Sequence, residues 1–433
     1  MIEGAVLSLV FVAFCVFGYQ KCALPFVLIA FFLAGLDLPQ QDMWQAMRWV
    51  ALALAAGGGI LTWVWKGQRL RFGLFHQFAL WTVIALLLSS FVSVNSYMTL
   101  LKGGTVGLLF LYGSVGARIA TVGREQAFMK ALLLACEVSV YISAVVYGLL
   151  NYPLFGNVNS LGAVMAVLVW PLLLWEVVVA EPSSSWHRKS FALILCGALL
   201  YYSSARAGFF GASVSTVVVL FSLRRYKLTF IAGMLVVLVT IASPDRWQAL
   251  ITDAVYNALY KGFEEAGVLA SRTPNWRQSL ERIDENLWFG TGFGVAEGIS
   301  EQWEGGFATQ GLVLEVGNSY LVLVEGVGLI GSLPFGILLL VLLSRIRRVF
   351  ARVHQGQSHL DYSVPLAAVL IAGLCHAFFE DWLFAVGYYL SILFWVFAFL
   401  LIDREDARGL VTQRAMQPTI QAVPFRQSFY LDQ

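Results

Sequence analysis

The chain has 433 residues, of which 59% are hydrophobic and 12% are charged, and its formal net charge is +2. Its mean hydropathy is +0.75, and apolar runs of about 20 residues, each long enough to cross a bilayer, recur from end to end. This composition excludes a soluble globular protein and gives no indication of nucleic-acid binding. The five cysteines are far apart, in or beside apolar runs, so neither a metal-ligand spacing nor a disulfide framework is visible.

The first apolar run, residues 4–19, has the length of a signal-peptide core. It lacks a basic start and a small-residue cleavage site, and a second run follows at once, so we interpret it as a retained span. The pattern predicts an all-α polytopic membrane protein with about 13 transmembrane helices, within a range of about 12 to 14. The predicted spans are 4–19, 23–38, 48–65, 74–94, 103–121, 127–150, 159–179, 190–205, 207–223, 227–243, 318–344, 363–379 and 383–402.

Basic residues are concentrated in alternate connections between these spans. By the positive-inside rule such connections face the cytoplasm, which places the one long hydrophilic segment on the periplasmic side. The predicted organisation is listed from the N-terminus: helices 1–10 in residues 1–243, a periplasmic loop in 244–317, helices 11–13 in 318–402, and a cytoplasmic tail in 403–433. The polar, proline-containing composition of the tail predicts disorder.

A single cation, Arg206, interrupts the apolar segment 190–223 near its middle. Basic loops flank this segment at both ends, so it must cross the membrane and return. Each arm of about 16 residues spans roughly 24 Å, which is less than the hydrocarbon thickness of about 30 Å. We therefore expect Arg206 at or just below the outer headgroups, where a lipid phosphate is a natural partner. Snorkelling, or pairing with a nearby carboxylate, is the alternative.

The predicted periplasmic loop contains an amphipathic helix that we expect along the membrane face. Its apolar residues recur at helical spacing, at Trp276, Leu280, Ile283 and Leu287. Three arginines accompany them, Arg272, Arg277 and Arg282. Headgroup binding is the simplest role for these arginines. The turn from Gly290 to Gly294 matches neither nucleotide-binding glycine motif, so we interpret it as a tight turn that returns the chain to the membrane.

Several short motifs follow one another along residues 157–402. In chain order they are Asn-x-Asn-x-Leu-Gly from Asn157, Ser-x-Arg from Ser204, Arg-x-x-x-Trp from Arg272, Gly-x-Gly-x-Gly from Gly290, Asn-x-Tyr-Leu from Asn318 and Glu-Gly-x-Gly-x-x-Gly from Glu325. Their order resembles the O-antigen ligase and polymerase superfamily of bacterial envelope glycosyltransferases. The C-terminal span resembles exopolysaccharide polymerases of the xanthan type.

This resemblance implies a GT-C-like, metal-independent glycosyltransferase without a cofactor, a multi-pass protein of the bacterial inner membrane with its active site on the periplasmic side. The implied partners are donor and acceptor oligosaccharides on undecaprenyl diphosphate, the bilayer, a chain-length regulator and a flippase. Guanidinium groups match diphosphate oxygens, so Arg206 and Arg272 are expected to bind the leaving group. The expected substrate-binding residues are Arg277, Arg282, Ser204, Asn159, Asn318 and Tyr320.

The chain departs from the ligase branch at Gly317, where that branch typically has a histidine thought to activate the acceptor. The candidate replacements for this base are His376, Glu380 and Glu325, with Asp381 and Glu315 beside them. For each candidate a packed or solvated structural role is the alternative. Glu325 has a further alternative, as a buried counter-ion that orients Arg206.

Three functions remain open at this stage. The first is a polysaccharide polymerase that transfers a growing glycan from undecaprenyl diphosphate to the non-reducing end of a lipid-linked repeat unit. The second is a ligase that moves the glycan to lipid A core or to protein, and the third is a transporter or flippase of lipid-linked sugars. The periplasmic arginines and the family motifs weigh against transport, whereas Gly317 and the short C-terminus favour the polymerase.

Overall fold

The computed structural model describes residues 18–36, 41–67, 70–179, 184–227, 272–295, 317–356 and 360–416. Within these ranges all regular secondary structure is helical. The helices in chain order are α1 (Tyr19–Gly35), α2 (Gln41–Lys66), α3 (Leu74–Phe91), α4 (Ser96–Thr121), α5 (Glu125–Leu150), α6 (Val158–Val179), α7 (Ser184–Ser203), α8 (Arg206–Ser222), α9 (Thr273–Glu285), α10 (Ser319–His354), α11 (Ser363–His376) and α12 (Tyr389–Met416).

Six of the described helices, α2 to α6 and α10, are long and apolar enough to cross a membrane. Three more, α1, α8 and α11, are apolar but shorter. These helices confirm the prediction of a polytopic, all-helical membrane protein. The number of 13 spans and the periplasmic loop stay predictions, and the spans expected at 4–19 and 227–243 lie almost wholly outside the described residues.

The predicted hairpin around Arg206 is formed by α7 and α8. Ser204 turns the chain between them with a left-handed φ of 50°. The turn packs against Gly162 in α6, where an added Cβ would lie 2.4 Å from Ser203 Oγ. On the other side, Phe210 of α8 makes an edge contact with Phe379, with ring centroids 5.5 Å apart. Arg206 therefore begins α8 beside the start of α6 and the end of α11.

Helix α10 is broken at Gly328, whose φ of 68° and ψ of −179° are not helical. The break leaves two carbonyls without helical partners, and the glycine turn supplies donors for them. The N–H of Thr291 donates to the carbonyl of Glu325, and the N–H of Gly292 donates to the carbonyl of Gly326, each at 2.9 Å. The glycine turn therefore returns the chain and also completes the hydrogen bonding of a broken helix.

Close backbone contact explains why glycines recur in both segments. A Cβ at Gly328 would lie 2.4 Å from backbone atoms of Trp288 and Phe289, and a Cβ at Gly290 would lie 2.6 Å from the backbone of Gly326. Because the neighbours are backbone atoms rather than flexible side chains, they have little room to move. The glycines of the Glu-Gly-x-Gly motif therefore let the start of α10 pack directly against the backbone of the glycine turn.

The structure differs from the sequence prediction in the first part of the tail. Helix α12 continues to Met416, so residues 403–416 are helical rather than disordered. Ion pairs with other helices account for the difference. Arg118 binds Asp403, and Arg352 binds both carboxylate oxygens of Glu405 at 2.5 and 2.6 Å. Residues 417–433 lie outside the described ranges.

Candidate active site

A cavity of about 550 Å³ opens at the helix ends predicted to face the periplasm. It is lined by the end of α1, the beginnings of α2 and α6, the end of α11 and the loop 377–388. Three predicted site residues, Asn159, His376 and Glu380, line this one cavity, together with Asp381. The fold therefore brings together candidates that are more than 200 positions apart in the sequence.

The loop that carries Glu380 is held by hydrogen bonds from two helices. Ser319, the first residue of α10, donates its hydroxyl to the Glu380 carbonyl at 2.7 Å, and its N–H donates to the carbonyl of Ala377 at 2.9 Å. The indole of Trp395 in α12 donates to the carbonyl of Leu383 at 2.8 Å. These contacts fix the loop backbone, so the carboxylate of Glu380 projects from a rigid support.

The central contact of the site is an ion pair between Arg272 and Glu380. Nη2 of Arg272 lies 2.5 Å from Oε1 of Glu380, and Nη1 donates to the carbonyl of Gly317 at 3.1 Å. The side chains are 24% and 27% exposed, respectively. A guanidinium has five N–H donors, of which two are used here, so Arg272 retains donors for a ligand.

The guanidinium of Arg272 lies directly against Gly317, the position where the family resemblance leads us to expect a histidine. Gly317 has a φ of +65°, and an added Cβ would lie 2.0 Å from Nη1 of Arg272. A side chain at this position therefore excludes the guanidinium from its observed place.

Arg206 is close enough to Arg272 for the two positive charges to interact. It is half-buried at the beginning of α8. Two neighbouring guanidinium groups repel each other, and a dianion between them relieves this repulsion. The two arginines that the sequence assigned to one diphosphate are thus neighbours in the fold.

His376 lies in the cavity wall with one ring nitrogen already engaged. Its side chain is 2% exposed, and its Nδ1 accepts a hydrogen bond of 2.8 Å from the indole of Trp382. An indole N–H can only donate, so Nδ1 carries no proton and the neutral ring carries its proton on Nε2. In this state His376 offers a donor to the cavity rather than a base.

Glu325 forms a buried ion pair with another predicted site residue, Arg282. Nε of Arg282 lies 2.6 Å from Oε1, and the hydroxyl of Ser279 donates to Oε2 at 2.5 Å. The two charged side chains are only 10% and 9% exposed. This pair fastens the C-terminal half of α9 to α10.

The remaining arginine of α9, Arg277, faces outward. It is 81% exposed and lies 3.4 Å from Glu281, one turn further along the helix. Leu280 is also exposed, at 51%. The buried face of α9 includes both a polar residue, Ser279, and an apolar one, Ile283. The structure therefore separates the three arginines of this segment, and of the three only Arg272 pairs with a carboxylate of the cavity wall, Glu380.

Two further predicted substrate residues have contacts within the protein. Asn318 caps α10, where its Oδ1 accepts from the N–H groups of Tyr320 and Leu321 at 2.9 and 3.1 Å. Tyr320 donates its hydroxyl to the carbonyl of Leu374 at 2.9 Å. Both residues position the start of α10 beside the cavity. Glu315 lies outside the described residues.

The sequence reasoning left three cavity residues unassigned, Arg48, Tyr388 and Tyr389. Arg48 was recognisable as a cation on the periplasmic side, but nothing in its own segment indicated a site. The hydroxyls of the two tyrosines lie 3.3 Å apart. Among the described residues, no group of three or more His, Cys, Asp or Glu side chains is arranged to hold a metal ion.

The helices define a multi-pass membrane protein with a cavity lined by Arg48, Glu380 and Asp381, in which Glu380 pairs with Arg272. Residues 191–336 match the family model Wzy_C, described as O-antigen ligase. This match, over about a third of the chain, supports the resemblance to the O-antigen ligase and polymerase superfamily, a family of glycosyltransferase-like enzymes, whereas the resemblance to xanthan-type polymerases stays a prediction. Arg206, Arg272 and Glu325 lie in the matched region, whereas His376 and Glu380 follow it. No curated protein matches the chain.

Proposed function

We propose that the protein is a polysaccharide polymerase of the bacterial inner membrane. It transfers a growing glycan from undecaprenyl diphosphate to a hydroxyl at the non-reducing end of a second lipid-linked repeat unit, on the periplasmic side and without a metal or cofactor. The observation that carries this proposal is the Arg272–Glu380 ion pair beside Gly317. It joins a cation for the leaving group to a carboxylate for the acceptor, in the place where a ligase has its histidine.

In the proposed reaction, the acceptor hydroxyl oxygen attacks the anomeric carbon of the donor glycan. A new glycosidic bond forms while the bond from this carbon to the diphosphate oxygen breaks. The hydroxyl proton passes to the carboxylate of Glu380, which lines the cavity and pairs with Arg272. Undecaprenyl diphosphate leaves with the electron pair of the broken bond.

Arg206 and Arg272 stabilise the charge that develops on the leaving diphosphate. Contacts of this kind are strong where water is excluded, and loss of one preorganised donor typically lowers the rate by about 10² to 10³. Guanidinium groups suit this role because their forked donors match phosphate oxygens and they stay charged. This activity requires a flippase that delivers the donor, and it is compatible with a chain-length regulator as a further partner.

A ligase is the second candidate, because the matched family model is itself described as O-antigen ligase. Such an enzyme moves a finished glycan to lipid A core or to protein. Glu380 then activates the acceptor in place of the absent histidine. The two candidates share the donor and the leaving group and differ in the acceptor.

Deletion of the gene distinguishes the two candidates through the masses of the undecaprenyl-linked glycans that accumulate. A polymerase leaves single repeat units and no polymer, whereas a ligase leaves long polymer on the lipid carrier. Complementation with Glu380→Gln is expected to reproduce the deletion, although the protein still reaches the membrane. Normal polymer in that strain would show that Glu380 is not the acceptor base.

A further inference from the structure

Arg48, near the beginning of α2, is a cavity cation that the proposed reaction does not use. Its Nη1 donates to the carbonyl of Gly387 at 2.8 Å. Its guanidinium carbon lies 5.1 Å from the ring centre of Trp49. These contacts hold the guanidinium against the loop 377–388, at the wall of the cavity that also contains Glu380.

The loop has room for this arginine because residue 387 is a glycine. A Cβ at Gly387 would lie 2.9 Å from Nη2 of Arg48 and 3.1 Å from its guanidinium carbon. The guanidinium is thus packed directly on the loop backbone rather than extended into solvent. A fixed cation costs less entropy on binding a ligand than a mobile one.

The charge of Arg48 has no carboxylate partner within ion-pair distance among the described residues. Its Nε is buried there without a hydrogen-bond acceptor. By contrast, the more deeply buried Arg118 and Arg282 each bind a carboxylate. A guanidinium nitrogen buried without an acceptor is unfavourable, and an anion bound at Arg48 would supply that acceptor.

The neighbouring cavity residues are suited to a carbohydrate that carries such an anion. Asn157, Asn159 and Ser160 line the cavity from the start of α6, and Tyr388 and Tyr389 line it from the loop. Amides and hydroxyls bind sugar hydroxyls, while aromatic rings cover sugar faces. A glycan whose phosphate or carboxylate binds Arg48 would therefore meet these neutral polar groups, with the carboxylates of Glu380 and Asp381 in the same cavity wall.

We propose that Arg48 forms a second oxyanion subsite of this cavity, which binds a phosphate or a sugar carboxylate of the acceptor substrate. Arg206 and Arg272 hold the donor diphosphate, and Arg48 holds the other reactant. This inference rests on the proposed function, because it assigns the second lipid-linked substrate to the same cavity. Both anions present paired oxygens that match the guanidinium fork.

Equilibrium binding to the purified protein in phosphatidylcholine nanodiscs tests this subsite. The two probes are farnesyl diphosphate, as a short lipid diphosphate, and methyl glucuronide, as a sugar carboxylate; empty nanodiscs correct for partitioning. The variants are Arg48→Gln, Arg48→Lys and Arg272→Gln. Arg347→Gln is the matched control, since this exposed arginine lies roughly 40 Å along α10 from Ser319.

If the anion is a lipid diphosphate, the wild type binds two equivalents of farnesyl diphosphate and Arg48→Gln binds one. If it is a sugar carboxylate, Arg48→Gln binds methyl glucuronide at least about tenfold more weakly, while its farnesyl diphosphate binding is unchanged. Unchanged binding of both probes by Arg48→Gln overturns the subsite. The control variant is expected to match the wild type throughout.

The Arg272→Gln variant separates failure of the subsite from failure of the proposed function. Loss of farnesyl diphosphate binding in Arg272→Gln, with Arg48→Gln unchanged for both probes, refutes the Arg48 subsite and leaves the donor site in place. Unchanged farnesyl diphosphate binding in both variants contradicts the proposed diphosphate site itself.

The unfolding temperature tests whether Arg48 has a purely structural role. We expect Arg48→Gln to unfold at or above the wild-type temperature, because it removes a cation that has no counter-charge. If Arg48→Gln unfolds at a lower temperature than the wild type, probe binding by Arg48→Lys is used instead, because lysine retains the charge but lacks the forked donors. Weaker probe binding by a folded lysine variant supports the subsite, and wild-type binding overturns it.

Discussion

Substitution of Gly317 by alanine directly perturbs the Arg272–Glu380 pair. The residue has a φ of +65°, and its new Cβ would lie 2.0 Å from Nη1 of Arg272. A left-handed backbone costs a residue with a side chain about 1 to 2 kcal/mol. The clashing atom ends a flexible side chain, so the guanidinium moves and the backbone stays. The lost ion pair, at 24% and 27% exposure, adds at most about 1 kcal/mol.

The expected loss of unfolding free energy for Gly317→Ala is therefore about 1 to 3 kcal/mol, which leaves most molecules folded in a typical protein. The expected loss of activity is much larger, about 10² to 10³, because the displaced guanidinium no longer reaches the leaving diphosphate. The assay is the initial rate of polymer formation by the purified protein on lipid-linked repeat units, paired with its thermal unfolding.

Gly148→Ala is the matched control for this experiment. Gly148 lies in α5 and an added Cβ would have no atom within 4 Å, so alanine there is expected to leave the rate unchanged and to stabilise the helix slightly. A Gly317→Ala protein that polymerises within about threefold of the wild-type rate would refute the reasoning, since loss of one preorganised donor costs at least about 10².

Three other substitutions test separate parts of the structure. Arg206→Lys should lose most polymerase activity yet remain folded in the membrane, because an ammonium cannot reproduce the bidentate fork; near-normal activity removes Arg206 from the site. Arg282→Met should destabilise the protein by about 3 to 5 kcal/mol by leaving the carboxylate of Glu325 buried alone, and addition of Glu325→Met should recover part of that loss in thermal unfolding. An equal loss in the double variant would contradict the pairing. Gly328→Ala should greatly lower the yield of monodisperse protein, whereas Gly336→Ala on the same helix, with no atom within 4 Å of its Cβ, should be tolerated; equal yields would argue against the docked glycine turn.

Local patterns were enough to predict much of the helical architecture. Long apolar runs indicate membrane helices because the backbone must satisfy its own hydrogen bonds in lipid. The single charge at Arg206 marked the break between α7 and α8, and the 3.6-residue spacing from Trp276 indicated α9. The same reasoning failed for residues 403–416, because charged side chains predict disorder only when no distant partner neutralises them.

The pairing of the charged residues was decided by the tertiary structure alone. The sequence supplied three arginines around α9 and several carboxylates, but nothing local told which arginine meets which carboxylate. Arg272 binds Glu380 across 108 positions, and Arg282 binds Glu325 across 43. In the fold, Glu325 fastens a helix, and Glu380 lines the cavity beside Asp381.

The sequence by itself thus predicted a polytopic membrane protein, a family resemblance and the types of group available for chemistry. Hydrophobicity and helical period are properties of neighbouring residues, and short motifs are read along the chain. Only the fold decided that Arg48 and Glu380 line one cavity, that Arg272 pairs with Glu380 and that Trp382 donates to His376. Such contacts depend on how distant helices pack against each other, which no local pattern encodes.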